Sequence, residues 1–313
     1  MGKRKRIIFL ALLCIASLLT ACGLGSNGST KPPEEEETEP VQAIDKGYLI
    51  RKDESRWFIT SYKERDGNAY IDAYSFAISD KTAMTDSGGR RIAPDQIPLG
   101  AQVDVWNAGP VAESYPMQTD AAKIVLHADT PDAPEDGIGR TEAIAAALET
   151  RNGAVLARAV KTVELDTDNG YWDVELAEYE MIDQPIRVRV DSKTGEILPV
   201  PVAENEAFRV FAPQPGSESG PTITVEGEAR VFEAAFSWTL EDGHNVLAEG
   251  HEMADGGAPA WGKFKFDVNY ENASQSNIMF ILFVHSAKDG SVEHQLVIPL
   301  KAPEELIQYK AES

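Results

Sequence analysis

The thiol of Cys22 is the side chain with the plainest chemistry in this chain, and it follows Leu19, Thr20 and Ala21 at the end of an uncharged run. Lys3, Arg4, Lys5 and Arg6 precede that run, giving the cationic start, apolar middle and small-residue cut site of a secretory leader. Residues 7–19 number about thirteen, against about twenty needed to cross a bilayer, so the segment reads as a processed leader and not as a permanent span. Other groupings fail on spacing. His251-Glu-Met-Ala-Asp255 has the first half of a zinc-protease pair, but position 255 is Asp where a second His is needed, and Gly256-Gly257 follows. Asp166-Thr-Asp-Asn-Gly170 has the look of a calcium loop with its glycine one place early and Ala177 where the closing Glu belongs, so a strand-connecting turn is expected. Gly216-Ser-Glu-Ser-Gly220 puts Glu where a nucleophile elbow needs Ser. No catalytic, cofactor-binding or metal-binding set is therefore assigned.

The Leu19-Thr20-Ala21-Cys22 ending resembles the bacterial lipobox. That resemblance implies cleavage before Cys22, acylation of its thiol with palmitate-type chains, and a mature chain held at the outer face of the cytoplasmic membrane. Two acyl chains anchor stably where one does not. Cys14 leaves with the leader, so the mature chain has no cysteine pair and depends on apolar cores.

Charge narrows the partners. The chain carries 29 Lys plus Arg against 51 Asp plus Glu, a formal charge of −22. A duplex or single strand would be repelled, so nucleic acid is excluded as a partner.

The elements behind these residues read as mainly β and multidomain. Residues 1–21 are the leader, and 22–44, with Pro32-Pro33 and Glu34 to Glu37, a lipidated disordered tether. Residues 45–129 hold five short strand-like runs (47–51, 56–62, 70–79, 102–107 and 122–128), enough for a small barrel. Gly47-Tyr-Leu-Ile, Ser79-Asp-Lys-Thr82 and Gly109-Pro-Val-Ala-Glu-Ser-Tyr-Pro116 resemble an uncharacterised bacillar lipoprotein family with an OB-like β-barrel. Such barrels sometimes bind oligomers on an aromatic face, for which Trp57, Tyr74 and Trp106 are the available rings, and core packing is their plainer role.

A Pro- and Asp-rich joint at 130–137 leads to residues 138–202. There Thr141 is the expected N-cap of a short helix stopped by Asn152-Gly153, and three strands follow. Ending in Asp191-Ser-Lys-Thr-Gly-Glu-Ile-Leu198, this unit resembles a PepSY α+β domain, which implies peptidase regulation or peptide binding outside the membrane. In residues 207–301, Phe232, Ala234, Phe236 and Trp238 share one strand face, as do Phe264, Phe266, Val268 and Tyr270. Phe211-Ala-Pro-Gln-Pro-Gly216, Val225-Glu-Gly-Glu-Ala-Arg-Val-Phe-Glu-Ala234, Gly257-Ala-Pro-Ala-Trp-Gly262 and Ser286-Ala-Lys-Asp-Gly-Ser291 resemble the immunoglobulin-like β-sandwich of bacterial spore-germination lipoproteins. Residues 302–313 form a polar tail.

Residues 277–285 are apolar on both faces. Ile278, Phe280, Leu282 and Val284 can fill a core, which leaves Met279, Ile281 and Phe283 as a candidate interaction surface or a face covered by another segment. The function expected is a non-enzymatic lipoprotein that binds an envelope protein, peptide or wall polymer, in sporulation or spore germination. The competing reading is a PepSY-type peptidase regulator or an envelope enzyme without recognisable motifs.

Overall fold

The computed structural model describes residues 39–129, 136–151, 153, 155–243 and 245–308. The leader, Cys22, most of the tether, most of the 130–137 joint and the end of the tail lie outside these. The described residues form one compact unit. Among the described residues no helix is long and apolar enough to cross a membrane.

Six strands come first: β1 (Val41–Lys52), β2 (Arg56–Arg65), β3 (Asn68–Ala77), β4 (Ala83–Asp86), β5 (Gln102–Ala112) and β6 (Met117–Leu126). Strand β1 pairs with both β2 and β5, β5 with β6, and a parallel β3–β6 pairing closes a five-stranded barrel with β4 outside on β6. The order β5-β1-β2-β3 is a Greek key. Alternation places Trp57, Ile59, Phe76, Val103, Val105 and Ile124 inside. Strand β1 starts at Val41, within the stretch expected to be tether. Its first residues are polar or exposed and carry little periodic signal, and they are ordered by pairing Val41 and Gln42 with Asn107 and Trp106.

Helix α1 (Arg140–Glu149) follows, then an antiparallel sheet of β7 (Arg158–Asp166), β8 (Tyr171–Glu178), β9 (Ile186–Asp191) and β10 (Ile197–Leu198) in the order β10-β9-β8-β7. The N-cap is Gly139 and not Thr141. The reason is tertiary: Asp129, arriving from the barrel, accepts the Thr141 amide at 3.0 Å, and a Cβ at position 139 would meet its carboxylate at 2.7 Å. Glu142 reaches back to the Gly139 amide at 3.0 Å. Ala143, Ile144, Ala147 and Leu148 pack on Val160, Trp172, Val174, Val188 and Val190. The 166–170 segment is the β7–β8 turn, in which Asp166 takes the Asn169 amide and side chain at 2.9 and 2.8 Å. Burial raises the Asp166 pKa, and these hydrogen bonds outweigh it, holding the carboxyl below the usual range. Asp191 closes the β9–β10 hairpin by accepting the Lys193 and Thr194 amides, and Gly195 supplies φ +77°.

The last unit faces one sheet, β11 (Ala203–Glu204), β12 (Phe208–Ala212), β13 (Thr222–Ala229) and β16 (Gly262–Asn269), against another, β15 (Val246–Met253), β14 (Ala235–Glu241), β17 (Asn277–His285) and β18 (Val292–Lys301). Between them lie Phe208, Val225, Phe236, Trp238, Phe264 and Phe280. Phe232 does not join that face. It is exposed in a turn where Glu233 and Ala234 take positive φ, so strand alternation begins only at Ala235. The polar tail is partly built in, since Ala302 is buried and Ala273 bridges to Ile307.

Candidate binding surfaces

The three barrel aromatics do not share a face. Trp57 is buried in the barrel, and Tyr74 stacks on Phe76 at 5.2 Å beside the same core. Trp106 alternates with the inward-facing Val103 and Val105 of β5 and is half-buried on the outward face, beneath the Lys123 ammonium at 4.7 Å. The outward face of β2 and β3, which oligomer-binding barrels use, is instead taken by the chain itself. Phe58, Ile71 and Ala73 pack against Ala157, Ala159 and Ala177, and buried Thr60 donates to the Arg158 carbonyl at 2.8 Å. The 109–116 loop adds Tyr115, whose hydroxyl donates to the Ile71 carbonyl at 3.0 Å while its ring lies 4.6 Å from that of Tyr179. The barrel and the helix-containing unit are thus joined by a shared apolar core.

A second junction, between β8–β9 and the sandwich, is polar and aromatic. Arg189, 2% exposed, lies 4.5 Å over Tyr171; Arg209 lies 5.7 Å from Tyr171 and 4.0 Å from Trp261; Arg230 sits 4.7 Å from Trp261. This alternation of cations and rings is tied by carboxylates. Glu204 accepts from Arg189 at 2.5 Å, Asp173 pairs with Arg187, and Glu228 lies 3.6 Å from Arg209. The Asp173 hydrogen bond holds Arg187 even more firmly protonated than usual. Trp261 Nε1 donates to Asn169 at 3.2 Å. The cleft left here is about 210 Å³. Arg187, Arg189 and Arg209 are matched by acids within the junction and Arg230 donates to the Glu206 carbonyl at 3.2 Å, so its chemistry is adhesive, each desolvated cation–ring contact being worth up to about 2 kcal/mol.

His251 lies on strand β15, with its Nδ1 2.8 Å from Ser237 Oγ, and Asp255 accepts the Lys263 amide. A strand cannot present positions 251 and 255 as a helical pair. The amides of β14 are spent on the β15 and β17 ladders, leaving none beside Ser237 for an oxyanion.

Met279, Ile281 and Phe283 occupy the outer face of β17, with Thr239 and Val297 as the ladder neighbours of Ile281. Ile281 is 7% exposed, whereas Met279 and Phe283 are half-buried. Sequence reasoning singled out this row through its two-sided hydrophobicity. It missed the Tyr171–Trp261 junction and the Tyr115–Tyr179 contact, whose partners lie far apart in the chain.

Two facing antiparallel sheets with one wet face each make the C-terminal unit an immunoglobulin-like sandwich. Residues 207–291 match the model of the Gmad2 family, described as the immunoglobulin-like domain of bacterial spore germination. No curated protein matches the chain. Among solved structures, the chain is similar to an extracellular domain assigned to a one component system of B. thetaiotaomicron, with 10% identity, 82% of this chain and 36% of that one covered, and a TM-score of 0.17. A second structure, assigned to a hybrid two component system of the same organism, gives 9% identity, the same coverage and a TM-score of 0.16. The chain therefore spans about a third of those chains.

Proposed function

We propose that this protein is a non-enzymatic lipoprotein, anchored through Cys22 at the outer face of the cytoplasmic membrane, that binds an envelope protein, peptide or wall polymer during sporulation or spore germination. The observation that carries this reading is the germination-type immunoglobulin-like domain at 207–291. The Lys3–Arg6 cluster, the short apolar run and the Leu-Thr-Ala-Cys ending support the anchor. The Greek-key order and parallel closure of the barrel support an OB-like first unit. Helix α1 on a four-stranded antiparallel sheet, ended by the Asp191–Gly195 hairpin, supports a PepSY-like second unit.

The anchor is tested with labelled fatty acid. Wild type takes up label and sediments with membranes, and Cys22→Ala takes up no label, since alanine has no thiol to acylate. Label in the variant means that the site is elsewhere. The binding role is tested by recovery of wall and membrane fractions on the purified protein, alongside a hydrolase screen that is expected to stay blank.

A further inference from the structure

The seam between the barrel and the helix-containing unit carries an exposed aromatic patch that neither unit makes alone. Tyr179 is 48%, Met181 47% and Leu156 44% exposed, values high for residues of this size. They are contiguous: Tyr179 donates its amide to the Ala157 carbonyl at 2.9 Å, next to Leu156, and its ring packs on Tyr115. Tyr62 and Ile182 lie against the same buried alanines. Singly exposed apolar residues need no explanation, but a contiguous group of two tyrosines, a methionine and a leucine has the composition of an interface centre.

The surroundings of the patch are acidic. Partial burial pushes the Tyr62 hydroxyl up to about 12, helped by its hydrogen bond to Glu64 and by the charges of Glu64, Asp183 and Glu175. Tyr115 is likewise pushed up to about 12 by burial and then by Tyr179, Asp72 and Glu180. Lys161 offsets one of these acids through its pair with Glu175 at 3.3 Å, and Lys63 and Arg65 act on Asp72. Glu64, Glu180 and Asp183 have no cation partner within salt-bridge distance among the described residues.

We infer that this patch is a docking surface for a protein segment in which lysine or arginine alternates with apolar side chains. Cations of the segment would lie over the Tyr115 and Tyr179 faces and against Glu180 and Asp183, and its apolar residues would cover Met181 and Leu156. A second copy of this chain is a poor occupant, because it would bring the same acidic rim to the contact. The inference rests on the reading of the protein as a binding module and names the chemistry of its partner.

The test uses the full chain in detergent micelles and fluorescein-labelled twelve-residue peptides, followed by anisotropy at low and moderate salt. The peptides alternate Lys with Leu, Lys with Ser, or Glu with Leu. The Lys–Leu peptide is expected to bind, and the other two at least tenfold more weakly. The double variant Tyr179→Ser, Met181→Ser should lose at least tenfold while staying folded, with a melting temperature only modestly lowered by loss of the Tyr115–Tyr179 contact, because both side chains are half in solvent. Glu180→Gln with Asp183→Asn should lose severalfold, and Glu226→Gln with Asp267→Asn, on the distant sandwich, less than twofold. Equal binding by wild type and the Tyr179/Met181 variant, or equal loss in the distant variant, overturns the docking surface. So does failure of the wild type to bind the Lys–Leu peptide. In each of those cases recovery of wall and membrane fractions still decides the wider binding role.

Discussion

Gly100 shows how one residue can hold two units together. It sits at φ +79°, and a Cβ there would meet the Thr141 carbonyl oxygen at 2.5 Å and the Ala145 amide nitrogen at 3.0 Å, so helix α1 rests directly on its backbone. Gly109, in the 109–116 loop, has a similar φ of +75° with no atom within 4 Å of the added position. Both substitutions to alanine incur the left-handed penalty of roughly 1–2 kcal/mol, and only Gly100→Ala adds a collision with backbone that cannot swing aside. Gly100→Ala is therefore expected to lose about 3 kcal/mol or more in urea unfolding, and Gly109→Ala about 1 kcal/mol. Equal losses would mean that the helix is free to move away from the barrel.

Strand β17 makes the corresponding point for an element. Its inward residues Ile278, Phe280 and Leu282 belong to the sandwich core, and its outward residues divide between buried Ile281 and half-buried Met279 and Phe283. A charge at the centre of the row has nowhere to go, whereas polar groups at its ends reach water. Ile281→Glu is expected to lower stability by about 3 kcal/mol, and Phe283→Ser by about 1 kcal/mol. A folded Ile281→Glu protein with wild-type stability would show that this side chain turns out to solvent and that the row is free for a partner.

Across the whole molecule the two junctions differ in kind. The barrel and the helix-containing unit share buried apolar residues, with Tyr48 and Ile50 of β1 packed against the cluster beneath α1. The sandwich has a core of its own and is tied on by the Arg189–Tyr171–Arg209–Trp261–Arg230 series and by Glu204. The first pair should unfold together, since separating them exposes common core. Trp261→Ala removes two cation–ring contacts and the bond to Asn169, a loss of about 2–3 kcal/mol at the second junction. In calorimetry the wild type should melt in one transition and Trp261→Ala in two, with the barrel and helix-containing unit still together. A variant melting as a single peak would show that the tie lies elsewhere.

Local pattern by itself determined much of this protein. Short aromatic and aliphatic runs between turn signals marked all five barrel strands. Alternation marked the inward face of β16, because side chains two apart on a strand must share a face, and β17 stood out because both of its faces are apolar. The Asp166 and Asp191 turns were legible because an Asx carboxylate bonds amides only two or three residues on. Only the tertiary structure decided the helix cap, since Asp129 comes from another unit to displace Thr141 as the organising residue. It likewise decided that the chain covers its own barrel face, that Phe232 stays outside the sandwich, and that Tyr115 meets Tyr179. These outcomes depend on contacts between residues distant in sequence, where neither spacing nor propensity carries information, and on which of several competing apolar surfaces is buried first-hand by a neighbour and which is left to water.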